Sequence, residues 1–286
     1  MVVLVQLRLF IPAMFLVLLS PSAYASEQPV YVFGVISQRS PLLTAQYWNP
    51  IIRHVSEKSG VPLRVRIGKS GPETSEMIKK GEVDFMFSNH IFHPDNESSG
   101  YSVIARDGRK SISGQIVVPA GSKIKKLSDL KNKKVVFPSK VAFVGYMVPI
   151  HHLHIRGIEV DVKFAGNQEG AMGQLFAGSV EAAGVNSEVM REFARREHHK
   201  YRILWTSKPY LNMPVAAKKG LPRNVVALVQ KSLVEMKHHQ DGINILSASA
   251  KLVGQKDILG FELANDTEYL EQKNLYTKVV GMQTAP

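Results

Sequence analysis

The sequence predicts an α/β protein of two lobes, each a mainly parallel sheet flanked by helices. Three observations carry this. Strand and helix patterns alternate from Val30 to Phe87, they alternate again from Lys134 to Thr206, and an apolar segment, Met213–Ala217, then offers a way back to the first set. Such alternation builds a parallel sheet with helices on both faces, and two sets call for two sheets.

In chain order, Val30–Gly34 is apolar and β-rich, and it gives way to Ser37-Gln38-Arg39-Ser40 before Pro41, as a buried strand does on entering a loop and a helix. Tyr47, Trp48, Ile51, Ile52 and Val55 then recur at helical spacing until Gly60, with Pro50 expected in an early turn. Val61, Leu63, Val65 and Ile67 alternate with Pro62, Arg64 and Arg66 at the period of a strand. Pro72–Lys80 reads as a helix closed by Gly81, and Val83–Phe87 as the next strand.

The second set opens after Val117-Val118-Pro119 with a short helix at Leu127–Lys131 and a strand at Lys134–Phe137. It continues with helix Gly145–Arg156, strand Val160–Phe164, helix Gln168–Ala177, strand Ala182–Val185, helix Glu188–Glu197 and strand Arg202–Thr206. Helix Val225–Met236 and further C-terminal helices complete the first lobe. The expected division is 26–116 with 214–286 in one lobe and 117–213 in the other. No repeat of solenoid length occurs.

The first residues have the zones of a secretory signal: Arg8, the eleven apolar residues Leu9–Leu19, and small residues at Ala23-Tyr24-Ala25, which places cleavage after Ala25. The apolar run is well short of the roughly 20 residues that span a bilayer, and Pro12 interrupts it. There is no cysteine. Disulfides, thiolate metal sites, a catalytic thiol and a lipidated cysteine are therefore excluded, and export without them fits a periplasm. The formal net charge of +12 is spread over dispersed pairs such as Lys79-Lys80, Lys133-Lys134 and Arg195-Arg196, which reads as a solvated basic surface and not as a nucleic-acid footprint.

Ligands of open parallel sheets bind beyond the carboxyl ends of the strands. The groups expected there are Ser37, Gln38, Asn89, His90, Phe143, Gly145, Tyr146, Asn167, Gln168, Asn186 and Ser187, and the polar ones among them are neutral hydrogen-bonding groups suited to a small polar ligand. The serines and asparagines among them are also the residue types of ordinary caps and turns. The histidines, His90 with His93, His151-His152-x-His154, His198-His199 and His238-His239, raise the alternative of a periplasmic metal binder, although no cysteine or nearby carboxylate completes a ligand set. The sequence lacks G-x-S-x-G, H-E-x-x-H, a P-loop and a dinucleotide fingerprint, so neither an enzyme nor a cofactor is expected.

Several motifs, in order, resemble one family. Leu127-Ser128-Asp129-Leu130-Lys131, running into Val135-Val136-Phe137, resembles the entry to the second lobe of type 2 periplasmic binding proteins. Gly145-Tyr146-Met147-Val148-Pro149 with Gly157-Ile158, and the turns Gly81-Glu82-Val83-Asp84 and Gly178-Ser179-Val180-Glu181, are similar to the phosphate, phosphite and phosphonate-binding branch, as are Phe33-Gly34-Val35 and Trp48-Asn49-Pro50. The resemblance implies a monomeric clamp with crossovers near Gln115–Pro119 and Leu211–Ala216. Such a clamp closes on a small polar or anionic molecule and presents it to an ABC permease or, alternatively, to a membrane sensor such as a histidine kinase or cyclase. The pocket departs from the family: Ala142-Phe143-Val144 replaces its hydroxyl-bearing anion cradle, Asn167 its histidine, and Gly71 and Ser88 its flanking aromatics. Its acidic partners for a ligand amine align with Glu188 and Met213.

Overall fold

The computed structural model describes residues 29–284 apart from 110 and 259, and side chains as far as 282. The expected signal segment lies outside the described residues. Among the described residues, eleven strands form two sheets.

The first sheet holds β1 (Tyr31–Val35), β2 (Leu63–Ile67), β3 (Phe85–Phe87), β4 (Tyr101–Asp107), β10 (Pro214–Lys218) and β11 (Phe261–Leu263) in the order β11-β4-β10-β3-β1-β2. The second holds β5 (Gly114–Pro119), β6 (Lys134–Phe137), β7 (Asp161–Phe164), β8 (Ala182–Asn186) and β9 (Tyr201–Thr206) in the order β7-β6-β8-β5-β9. The parallel pairs that βα alternation requires are β2-β1-β3 and β7-β6-β8. The crossing strands β4, β5, β9 and β10 add antiparallel pairs, so both sheets are mixed.

Helix α1 (Pro41–Ser59) starts where Ser40 caps the Leu43 amide and Pro41 fills the first turn, and it ends at Gly60, whose φ of 69° is left-handed. Pro50 therefore sits on the exposed face in mid-helix and not in an early turn. The start signal is the Ser40-Pro41 pair. The buried face carries Trp48, Ile51, Ile52 and Val55 onto the sheet, with the Trp48 ring 5.9 Å from Phe33 and 4.6 Å from Phe87. Helices α2 (Gly71–Lys79), α4 (Gln168–Phe176) and α5 (Ser187–Arg196) each begin at a strand's carboxyl end behind a capping Ser70, Asn167 or Asn186.

The helix expected from Gly145 begins two residues sooner with a π-turn, Phe143–Met147, and continues as α3 (Val148–Ile155). Pro149 cannot donate to the carbonyl four residues back, which leaves this turn free to widen.

The lobes are joined by residues 108–113 and 207–213, which touch each other through Ile112 and Tyr210, each amide donating to the other's carbonyl at 2.8 Å. Gly114, Gln115 and Ile116 already pair in the second sheet. Helices α6 (Arg223–Glu235) and α7 (Gln240–Leu252) pack beside α1, while α8 (Leu270–Thr284) lies across the junction. In α8 the fully buried Tyr276 stacks on Phe143 at 5.1 Å and donates to the Val141 carbonyl at 3.1 Å. One apolar cluster thus runs from Val32, Ile78 and Met86 of the first lobe through Tyr276 to Phe137 and Phe143 of the second.

Candidate functional site

The carboxyl ends of β1, β3, β6 and β8, and the loop after β7, converge on one cleft between the lobes. It encloses about 400 Å³ including its mouth. β1 delivers Ile36, Ser37 and Gln38, β3 delivers Asn89 and His90, β6 delivers Pro138 and Ser139, the loop after β7 delivers Gly166, Asn167 and Gln168, and β8 ends at Asn186. The rule that placed ligands at strand ends describes the construction, because each parallel strand there hands over to a helix or turn at the cleft.

Of the residues expected at the site, Ser37, Gln38, Asn89, His90, Phe143, Asn167, Gln168 and Asn186 line this cleft. Gly145, Tyr146 and Ser187 do not. Gly145 lies just behind the lining, where the side-chain nitrogen Nε2 of Gln168 comes so close that an added Cβ would meet it at 2.5 Å. Tyr146 turns into the core between Phe137 and Phe164, with ring centroids 5.1 Å from each. Ser187 bonds across to Ser113, accepting from its amide at 3.2 Å and donating its own amide to the Ser113 carbonyl at 2.9 Å. Ser139 was missed, although Pro138-Ser139 ends β6 as visibly as the other strand ends.

The cleft has two kinds of wall. Ile36, Ile112, Ala142, Phe143, Val144 and Met213 form an apolar side, and the serines, amides and His90 face it. No described lining residue other than His90 is titratable. Some polar atoms are already used: Ser37 donates to the Arg39 carbonyl at 2.7 Å, Gln168 Oε1 accepts from the Asn186 amide at 3.0 Å, and the cap oxygens of Asn167 and Asn186 accept from Gly170 at 2.7 Å and Glu188 at 2.9 Å. The amides of Phe143, Val144 and Gly145 open the π-turn ahead of its first bond, which Tyr146 donates to Ala142 at 2.9 Å, so they have no acceptor within the helix.

His90 differs from its neighbours. It is fully buried, both ring nitrogens have no partner, and burial lowers its pKa to about 3, with a smaller contribution from His93. The ring is neutral at any physiological pH.

The rim is charged. Arg39 of the first lobe bonds Glu192 of α5, and Arg109, in the crossing segment, bonds the other oxygen of Glu192 at 2.9 Å and Asp107 at 2.6 Å. All four side chains are buried or nearly so. Tyr47 lies beside them, its pKa pushed up to about 12 by burial. Backbone bonds join the lobes at the same level: the Gly71 amide donates to Gly166 at 3.0 Å and the Glu169 amide to Gln38 at 3.1 Å. The clamp is closed.

Three of the other histidines are engaged in local packing. His93 caps a turn by accepting from the Asp95 amide at 3.3 Å, His152 stacks on Trp205 at 4.1 Å and accepts from Arg156 at 2.8 Å, and His199 stacks on Phe176 at 3.9 Å. Among the described residues no three His, Asp or Glu side chains are placed to hold a metal ion.

The model of the ABC transporter phosphonate periplasmic substrate-binding proteins matches residues 33–269. The chain belongs to this family. No curated protein sequence matches it significantly. Among solved structures, a binding component of a phosphonate ABC transporter from Pseudomonas aeruginosa superposes with a TM-score of 0.77 at 15% identity, covering 91% of this chain and 90% of that one. PhnD1 of Prochlorococcus marinus in complex with methylphosphonate gives 0.73 at 16% identity, covering 88% and 98%. A Xanthomonas citri protein bound to ATP gives 0.67 at 14%, covering 89% and 98%. The fold is that of the type 2 periplasmic binding proteins, and the phosphonate family's role is that of an ABC transporter's substrate-binding protein, working in the periplasm on a small molecule. Within the described residues no helix is long and apolar enough to cross a membrane.

Proposed function

We propose that this protein captures a small polar or singly charged anionic solute in the cleft described above and, once closed, presents it to its own ABC permease. One observation carries the reading: neutral polar side chains and the first residues of the π-turn, Phe143 and Val144, whose amides have no acceptor within the helix, converge on a space between two lobes that clasp each other around it. Free amides at a helix start attract an anion without a lysine or arginine. The apolar wall then suits a short apolar substituent. Among the expected residues, Ser37, Gln38, Asn89, His90, Phe143, Asn167, Gln168 and Asn186 are proposed to touch the solute, with Gly145 admitting Gln168 behind them. Methylphosphonate, named for the Prochlorococcus marinus protein, is small and has this two-sided chemistry.

The proposal includes export through a signal peptide cleaved after Ala25, a monomeric protein that pivots at Ile112 and Tyr210, and binding without catalysis. The Ser37 hydroxyl is spent on a backbone carbonyl.

The test is a thermal-shift screen of the mature chain against methylphosphonate, other phosphonates, phosphite, phosphate and neutral amino acids. A ligand at about 100 times its Kd stabilises the native state by about 2.7 kcal/mol. Stabilisation by a small oxyanion or polar solute supports the reading, and a flat response to the whole panel overturns it.

A further inference from the structure

Resting on the reading of the cleft as the solute site, we propose that His90 selects for a ligand that carries a hydrogen-bond donor of its own, such as an oxyanion still holding one acidic proton, and discriminates against oxyanions that can only accept.

The argument begins with what the ring lacks. His90 is 0% exposed, lines the cleft, and has no partner at Nδ1 or Nε2. The ring edge bearing both nitrogens faces the cleft wall: a Cβ on Gly71 would lie 3.5 Å from Cε1, the carbon between them, and 2.4 Å from the Ser139 hydroxyl. Glycine at position 71 spares Ser139, which a methyl there would strike, and keeps the wall beside that edge thin. Buried polar atoms are almost always bonded, so two unpaired nitrogens beside a cavity mark where something else is meant to bond.

A neutral imidazole carries a single hydrogen, so one nitrogen donates and the other accepts. Burial holds His90 in that form, since its pKa falls to about 3. The accepting nitrogen needs an N–H or O–H to face it. The Asn96 side-chain amide is near in the chain but bonds the His90 carbonyl and Ser75, both at 2.9 Å. A fully ionised oxyanion satisfies the donating nitrogen alone and turns a lone pair toward the other. A singly protonated phosphonate offers an acceptor and a donor together. The hydroxyl-free stretch Phe143-Val144 agrees with this, because its side of the cleft offers backbone amide donors and no side-chain acceptor.

Two near-isosteric ligands separate the cases. Methylphosphonate in mildly acidic buffer keeps one acidic proton, whereas methanesulfonate has the same shape and charge and none. Titration calorimetry on the mature protein is expected to show methanesulfonate binding at least tenfold more weakly. In His90→Leu the two affinities should converge, and in His90→Gln, whose amide again offers one donor and one acceptor, the preference should partly return. Equal binding of both ligands to the wild type, with or without proton uptake by the ring, overturns the proposal while leaving the solute site intact. Failure of both to bind, with another solute stabilising the protein, overturns the phosphonate probe and the proposal together but not the clamp. If neither these ligands nor any solute of the thermal-shift panel binds, the site reading itself falls. The wild-type comparison decides the matter even if a His90 variant does not fold.

Discussion

The rim and the floor of the cleft solve opposite problems. At the rim, Arg39, Glu192, Arg109 and Asp107 come from both lobes and the crossing segment, and every charge has a partner. On the floor, the side chains are neutral and His90 has no partner at either nitrogen. The contrast teaches a division of labour: paired charges hold the lobes together, and unpaired neutral groups are left for the solute. It also explains how a chain with a formal net charge of +12 can keep its binding space free of lysine and arginine.

The contrast is open to attack at several points. Glu192→Ala should have the largest effect, because it strands the buried Arg39 guanidinium and leaves Arg109 with Asp107 alone, and removing one member of a buried ion pair costs about 3–5 kcal/mol. The thermal midpoint should fall by on the order of 10 °C. A drop no larger than that of a surface variant would mean that the rim does not hold the lobes.

Acid tests the floor. His90 binds a proton in the unfolded chain below its ordinary pKa of 6.5 but in the folded protein only near 3, so its contribution to stability is complete above pH 6.5 and is lost as the pH falls through that window. The slope is up to about 1.4 kcal/mol per pH unit. Denaturant titrations of the wild type and His90→Gln from neutral pH down to about pH 4.5 should diverge by about 2 to 3 kcal/mol. Parallel curves would place His90 in contact with water.

Gly145→Ala should cost less, about 1–3 kcal/mol of overpacking, since the new methyl meets Gln168 at 2.5 Å and Pro138 at 2.9 Å. Its sharper signature is a weaker ligand response, because Gln168 must leave the Asn186 amide it holds. The smallest effect belongs to Arg196→Ala, which breaks the partly exposed pair with Glu169 at 2.7 Å and should change stability by about 1 kcal/mol or less.

The parts of this architecture legible in the sequence are those written in local pattern. Period-two apolar runs, Gly60 and Gly81, and the caps Ser40, Asn167 and Asn186 fix most elements to within a residue or two, and strand ends point to Asn89, His90 and Gln168 without further information. Long-range features were hidden. Arg39 and Glu192 stand 153 positions apart in the chain and look like ordinary surface residues until α5 swings against the loop after β1. Strand β4 shows no clean alternation because both its faces are buried, Val103 in the cluster that spans the junction and Ile104 in the other cluster of the first lobe. Tyr146 was misplaced because the π-turn rotates the positions after Val144 relative to an ordinary helix.

Closure around a solute is the central claim, and the chain makes it simple to measure because it contains no cysteine. Two introduced cysteines, Leu42→Cys on the first lobe and Ala177→Cys on the second, replace exposed residues and can carry a pair of fluorophores. Saturating methylphosphonate should shift the interlobe distance to a single short, narrow population, and Glu192→Ala should broaden it toward longer distances. A distance that stays the same with every solute of the panel, while those solutes still stabilise the protein, would contradict closure as the means of capture.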